Sequence, residues 1–293
     1  MTVSQWLGLV LQASIMLTVL GLGLTASWGD AMYLLRRPKL LVRAVLSMSI
    51  VMPIIAAVAA TTFALPFEVK VALVALAVSP VPPIIQKNQL SAGGAEGYVV
   101  GLLVAMSVLA IVLIPLTVVI LDHVFDRAAT IGPLAIGKIM LMTVLAPLVA
   151  GLLIRHWYPA AEKASGTIIA VAGILLVIAA SVLLYGLWPV TRTFIGNGVV
   201  PMLAVLAVIG LAVGHLLGGP NAGDRTALAL STASRHPAVA LAIATSGALR
   251  EPKPELAVIL LYLVVATIVS LPYRKWRART AAAATPVATR DKA

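Results

Sequence analysis

No cysteine occurs in the 293 residues, which excludes a disulfide framework, a thiolate metal site and a cysteine nucleophile. Charge is scarce as well: 11% of residues are charged and 61% hydrophobic, whereas soluble domains carry roughly 25% charged residues. The chain therefore reads as an all-α polytopic membrane protein. Acidic residues number ten, and none falls mid-way along an apolar stretch. An intramembrane hydrolase would need paired carboxylates or a nucleophile with its base at membrane depth. Ser234 beside His236 is the one such pair, and their spacing at a helix break establishes no catalytic geometry, so no enzyme is expected. Lys and Arg are missing between Met1 and Trp6, so the first apolar stretch is read as a retained span and not as a signal peptide.

What the chain has in quantity is apolar length. Nine stretches reach the roughly 20 residues a span needs: 6–25, 40–63, 69–90, 98–121, 133–154, 167–188, 198–217, 226–249 and 256–273. The connections are short, which leaves one transmembrane domain over 1–273 and a basic, solvated tail over 274–293. The net charge of +11 invites a nucleic-acid reading until the basic residues are sorted by loop. Thirteen, including Arg36, Arg37, Lys39, Arg43 and the tail's Arg274, Lys275, Arg277 and Arg279, collect on one side; five collect on the other, namely Lys70, Arg127, Arg192, Arg250 and Lys253. That asymmetry places the C-terminus in the cytoplasm and the N-terminus outside, in a cell membrane. The basic residues thus serve topology against the lipid bilayer, and no nucleic-acid partner is expected.

Two of the spans are broken. In "AVSPVPPIIQKNQL", residues 77–90, Pro80, Pro82 and Pro83 each remove a backbone donor, and Pro83 can open a second half-helix, where a missing N–H costs nothing. In "STASRHPAVAL", residues 231–241, Ser234, Arg235 and His236 interrupt the apolar run just before Pro237. Non-helical backbone at membrane depth persists only where protein buries it or it lines a wet cavity. Paired breaks in corresponding halves of a chain mark the binding site of a secondary transporter, whereas the single Pro53, Pro115, Pro147 and Pro201 read as kinks.

Lys87 and Arg235 lie at these breaks with no carboxylate nearby in sequence. Arg235 is expected at the C-terminal end of its own first half-helix, where free carbonyls favour a cation. Lys87 falls in the first turn of a half-helix, where an anionic substrate would relieve it; its alternative is to snorkel to the surface. His236 either titrates and ligates or is a hydrogen-bonded structural residue. The candidate substrate-binding set is Ser79, Gln86, Lys87, Asn88, Ser231, Ser234, Arg235 and His236, with no cofactor and no metal. The small residues of "GLGLTAS" read as close helix packing and "SAGG" as a turn.

"MLTVLGLGLTAS", "RRPKLLVRAVLSMSIVMPIIA", the "SPVPP" break and "RTALALSTASRHPAVALAIA" together resemble the bile acid:sodium symporter family. The resemblance implies two inverted repeats, about 1–125 and 130–273, the first lacking its opening helix, arranged as a panel and a core domain with the two broken helices crossing in the core. It also implies sodium sites, a Ser-Asn pair at the first break and a Glu-x-x-x-Gln-Asn run at the second. Here Ile85-Gln86 stands at the first, with Asn88 available after a slip, and Ser231 followed by Arg235-His236 at the second. A cation is fixed where the family's sodium ligands belong, which makes Arg235, and after it Lys87, surrogates for the two ions. The expected function is alternating-access transport of a small organic anion without sodium coupling. The alternatives are sodium-coupled symport of bile-acid-like or oxo-acid substrates and an anion channel; arsenite efflux permeases share the broader fold, but the chain offers no cysteine.

Overall fold

A computed structural model describes residues 3–125, 133–244 and 253–284. Arg127, Arg250 and the end of the stretch 226–249 lie outside the described residues, as does the tail beyond 284. The described chain is helical throughout, without strands. In order it runs α1 (Val3–Thr25), α2 (Pro38–Thr62), α3 (Phe67–Val78), α4 (Pro83–Ser91), α5 (Glu96–Phe125), α6 (133–157), α7 (Glu162–Gly186), α8 (Val199–Leu217), α9 (Ala222–Ala233), α10 (Pro237–Ala244) and α11 (Lys253–Ala284). Among the described residues six helices are long and apolar enough to cross a membrane, or seven if the bent pair α3–α4 counts as one span. The other two of the nine expected stretches are the first, whose apolar part Leu9–Thr25 is shorter, and the broken pair α9–α10.

Both breaks fall where the prolines put them. α3 ends at Val78, Ser79 and Pro82 are extended, and Pro83 opens α4 with a tight 3-10 turn after a 69° bend. α9 ends at Ala233, Ser234 is extended, and Pro237 opens α10. Pro53 and Pro147 are each preceded by a widened π-type turn, Leu46–Val51 and Leu141–Leu145, so these prolines modify their helices without ending them.

The helices fall into two packed groups. α1 lies along α6 and α7, while α2, α5, α8 and α11 gather around the two broken pairs. Gly23 and Gly151 allow the α1–α6 contact: a Cβ on Gly23 would stand 2.6 Å from the Leu148 carbonyl oxygen, and one on Gly151 would stand 2.5 Å from that of Leu20. The guanidinium of Arg155 on α6 fixes the same pair by donating to the Thr25 and Ala26 carbonyls at the end of α1, and it pairs with Glu162 at 3.3 Å. α7 stands at the periphery, with Ile174, Val177 and Ile178 exposed, as a lipid-facing helix requires.

α11 continues past Tyr273 to Ala284, so the segment after the ninth apolar stretch begins as helix; most of its side chains are exposed, and Arg277 ties it to the rest of the chain. Its Ala- and Arg-rich composition favours helix, and tertiary contacts hold it. Arg277 is buried and donates to Thr226 Oγ1 at 2.8 Å and to the Ala222 carbonyl at 2.9 Å. In the "SAGG" turn Gly93 has φ +82°, and a Cβ there would meet the Cβ of Ala281 at 2.5 Å. His215, near the end of α8, hydrogen-bonds the Tyr273 hydroxyl at 2.8 Å and packs beside Trp276.

Candidate functional site at the crossing of the breaks

The two breaks meet, and each supplies what the other lacks. Pro80, Pro82 and Pro83 have no N–H, so the first break presents carbonyls and few donors. The second break donates to them: the His236 backbone N–H reaches the Pro80 carbonyl at 3.1 Å, and Arg235 Nη1 reaches the Ser79 carbonyl at 3.2 Å. Arg235 Nη1 also lies 3.5 Å from the Met48 carbonyl in the π-type turn of α2. Ser79 is the C-cap of α3, so the guanidinium sits at the negative end of that half-helix. The expectation for Arg235 is thereby corrected. It caps the opposite broken segment, and the end of its own half-helix is satisfied by the Tyr262 hydroxyl, which donates to the Ala233 carbonyl at 2.7 Å.

Polar side chains join the broken segments to each other and to α2. Gln89 Nε2 donates to the Ala227 carbonyl at 2.9 Å and to Ser231 Oγ at 2.5 Å, linking α4 to α9. Ser47 and Thr232 share a hydroxyl–hydroxyl bond of 2.8 Å between α2 and α9. Ser79 Oγ turns back to the Leu76 carbonyl at 2.8 Å, and Gln86 Nε2 reaches the Pro82 carbonyl at 3.4 Å.

Of the expected residues, the structure gathers Ser79, Gln86, Ser231, Arg235 and His236 as buried groups around this crossing. Ser234 and Asn88 are half-buried, and Lys87 is exposed. Lys87 turns away because α4 directs Gln86 and Gln89 inward, three residues apart, and the position after Gln86 is rotated off that face. One buried cation occupies the crossing, not two. Gln89, Tyr262, Ser47, Thr232 and the Met48 carbonyl belong to the arrangement and were not in the expected set. Gln89 was legible from its helical spacing to Gln86, whereas Tyr262 lies in a plain apolar run and Met48 contributes only backbone.

The unpaired groups indicate the chemistry. Arg235 is 1% exposed, yet its Nε and Nη2 have no partner; neither do Nδ1 and Nε2 of His236 or Oε1 of Gln86. A buried unpaired polar group costs roughly 1–3 kcal/mol, more when charged. The one ion pair among the described residues is Arg155–Glu162, far along the sequence from these groups. No cluster of three or more His, Cys, Asp or Glu side chains forms among the described residues. The crossing is thus a buried positive charge with open donors on Arg235, beside an open acceptor on Gln86 and the two unpaired ring nitrogens of His236.

The model of the sodium bile acid symporter family matches residues 13–214. The chain belongs to the sodium bile acid symporter family. No curated protein matched the chain. Within the family match lie the first break, α2, α5 and most of α8; α9, α10 and α11, with Arg235, His236 and Tyr262, lie beyond its end. As a symporter-family member the chain is a membrane transporter with multiple apolar helices.

Proposed function

We propose that this chain is a secondary transporter of a small organic anion, working by alternating access, in which Arg235 takes the place of a bound sodium ion. The observation that carries the reading is a fully buried guanidinium, tied to the Ser79 carbonyl by Nη1, with Nε and Nη2 unpaired. In transporters of broken-helix design, half-helix C-termini and unwound carbonyls hold the coupling cation. Here a covalently attached cation occupies that position, and its remaining N–H groups match the planar geometry of a carboxylate. His236, Gln86, Ser231 and Ser234 surround the break as hydrogen-bonding groups for the rest of the anion.

The same proposal includes nine spans, with α1, α6 and α7 as the panel and the remaining helices as the core. It also includes inverted repeats over about 1–125 and 130–273, and a cytoplasmic C-terminus. Supporting it are the packing of α1 on α6 and α7 and the basic surplus on one set of loops. One specific observation favours a second reading, sodium-coupled symport: the family's own description. Uptake of a panel of labelled carboxylates into proteoliposomes separates them. Uptake should persist when choline replaces sodium. A steep, saturable sodium requirement would overturn the surrogate-cation reading, and absence of flux for every organic anion would overturn the transport reading with it.

A further inference from the structure

A second concentration of positive charge lies away from the crossing, at the start of α2. A cavity of about 510 Å³ is lined by Arg37, Pro38, Lys39, Leu40, Arg43 and Asn221, together with Pro220. The Arg37 guanidinium is stacked 3.6 Å over the Tyr33 ring, which holds it at the rim. Gly219, at φ +89°, brings the α8–α9 loop against Leu40 and within 3.6 Å of Arg43 Nη1, measured from where its Cβ would be. α2 begins there without a side-chain cap; Pro38 has no N–H and the Leu40 and Leu41 amides donate to the Arg37 carbonyl, so the helix adds the positive end of its dipole and not a set of free amides. Asp224, at the neighbouring α9 start, is buried, accepts from Asn221 Nδ2 at 3.2 Å and offsets part of the Arg37 charge at a distance, but among the described residues no carboxylate forms an ion pair with Arg37, Lys39 or Arg43.

Below this pocket the surface changes character. Val42, Leu46, Ile50, Ile54 and Val58 are exposed at four-residue intervals, so they form one apolar stripe down the outside of α2. A free phosphate would use the cations and leave the stripe bare. A diacyl lipid with an anionic headgroup uses both, the phosphate among Arg37, Lys39 and Arg43 and the acyl chains along the stripe. We infer that the start of α2 is a binding site for an anionic phospholipid, whose headgroup bridges α2 and the loop that leads into the second broken segment.

This inference rests on the membrane placement of the chain and not on the anion-transport reading, so the two fail separately. The test is native mass spectrometry of the purified full chain, titrated with phosphatidylglycerol and with phosphatidylcholine of the same acyl composition. Phosphatidylglycerol should be retained preferentially. The triple variant Arg37→Gln/Lys39→Gln/Arg43→Gln should weaken it by roughly a hundredfold, from about fivefold per cation near the surface. A control that removes the same charge elsewhere, Lys163→Gln/Lys275→Gln/Arg279→Gln, at exposed side chains outside the pocket lining, should weaken it much less. Lys39→Gln alone, at an exposed side chain, should cost about fivefold and covers the case in which the triple variant does not fold. Inorganic phosphate should compete poorly. Equal affinity for both lipids, equal loss in both triple variants, an unchanged Lys39→Gln, or full displacement by inorganic phosphate would each overturn the assignment.

Discussion

Arg235→Ala tests whether the buried charge serves the substrate or only the fold. The side chain makes two contacts with the protein, both from Nη1, to the Ser79 and Met48 carbonyls at 3.2 and 3.5 Å. Its Nε and Nη2 are unpaired. If those two groups bind a carboxylate, each charge-assisted bond contributes about 1.5–3 kcal/mol, or about 3–6 kcal/mol together. At about 1.4 kcal/mol per factor of ten, alanine should lower kcat/KM for uptake by roughly a hundredfold to ten-thousandfold. Folding should suffer far less. Alanine frees two carbonyls, but it also removes a buried charge that has no carboxylate partner, and the two effects oppose each other. Arg235→Lys should recover part of the activity, since an ammonium keeps the charge and can reach Ser79 but lacks the planar fork. Initial uptake rates in proteoliposomes, normalised to incorporated protein and read beside the thermal midpoint, give both quantities. If Arg235→Ala transports within about threefold of the wild type, a difference below about 1 kcal/mol, the guanidinium does not contact substrate. If activity and midpoint collapse together in both variants, its role is structural.

Combining Arg235→Gln with Ser231→Glu restores the acidic and amide pattern of the family's second break, and it should confer a sodium dependence on uptake that neither single variant shows; sodium titration of initial rates checks this. Gln89→Leu removes two buried bonds, to the Ala227 carbonyl and Ser231 Oγ, and should destabilise the protein by about 1–3 kcal/mol, read as a lowered thermal midpoint; an unchanged midpoint would mean that the α4–α9 link carries no stability. Gly151→Val should separate α1 from α6 at a cost of about 1–3 kcal/mol, while Gly173→Ala, where a Cβ meets nothing within 4 Å, should be neutral or slightly stabilising in the same melt.

Proline made the breaks legible. Its missing donor and fixed φ act locally, so Pro83 and Pro237 mark the starts of α4 and α10 without tertiary information. The membrane class followed from composition for the same reason, since apolar length is a property of the chain itself. What the sequence concealed was direction. Arg235 lies beside its own half-helix end in the chain, yet its guanidinium reaches the other broken segment, because Tyr262 has already satisfied the nearer carbonyl. Lys87 and Gln86 are neighbours in sequence, but on a helix they point about 100° apart, and only the packing partner decides which one is buried. The extension of α11 to Ala284 depends on Arg277 finding Thr226 and Ala222, a contact that spans some fifty residues of chain.

A fixed cation has an energetic consequence that a bound one does not. A sodium ion enters from one side, leaves on the other and carries the energy of its gradient with it; Arg235 stays attached to the backbone through the whole cycle and transfers none. On the proposed reading the charge moved per turnover is therefore the substrate's own. For a monoanion, a potential of 100 mV, inside negative, contributes about 2.3 kcal/mol toward export, which corresponds to roughly a fiftyfold outward ratio at equilibrium. A sodium-coupled relative of the same fold overcomes that term with its ions, whereas this chain would follow it. Proteoliposomes clamped with a potassium diffusion potential should accordingly accumulate a labelled monocarboxylate when the lumen is positive and lose it when the lumen is negative, with sodium absent throughout. Flux that ignores the imposed potential would mean that a compensating charge crosses with the anion, by proton symport or by anion exchange. The two are then separated by whether a pH gradient or a counter-anion in the lumen drives uptake.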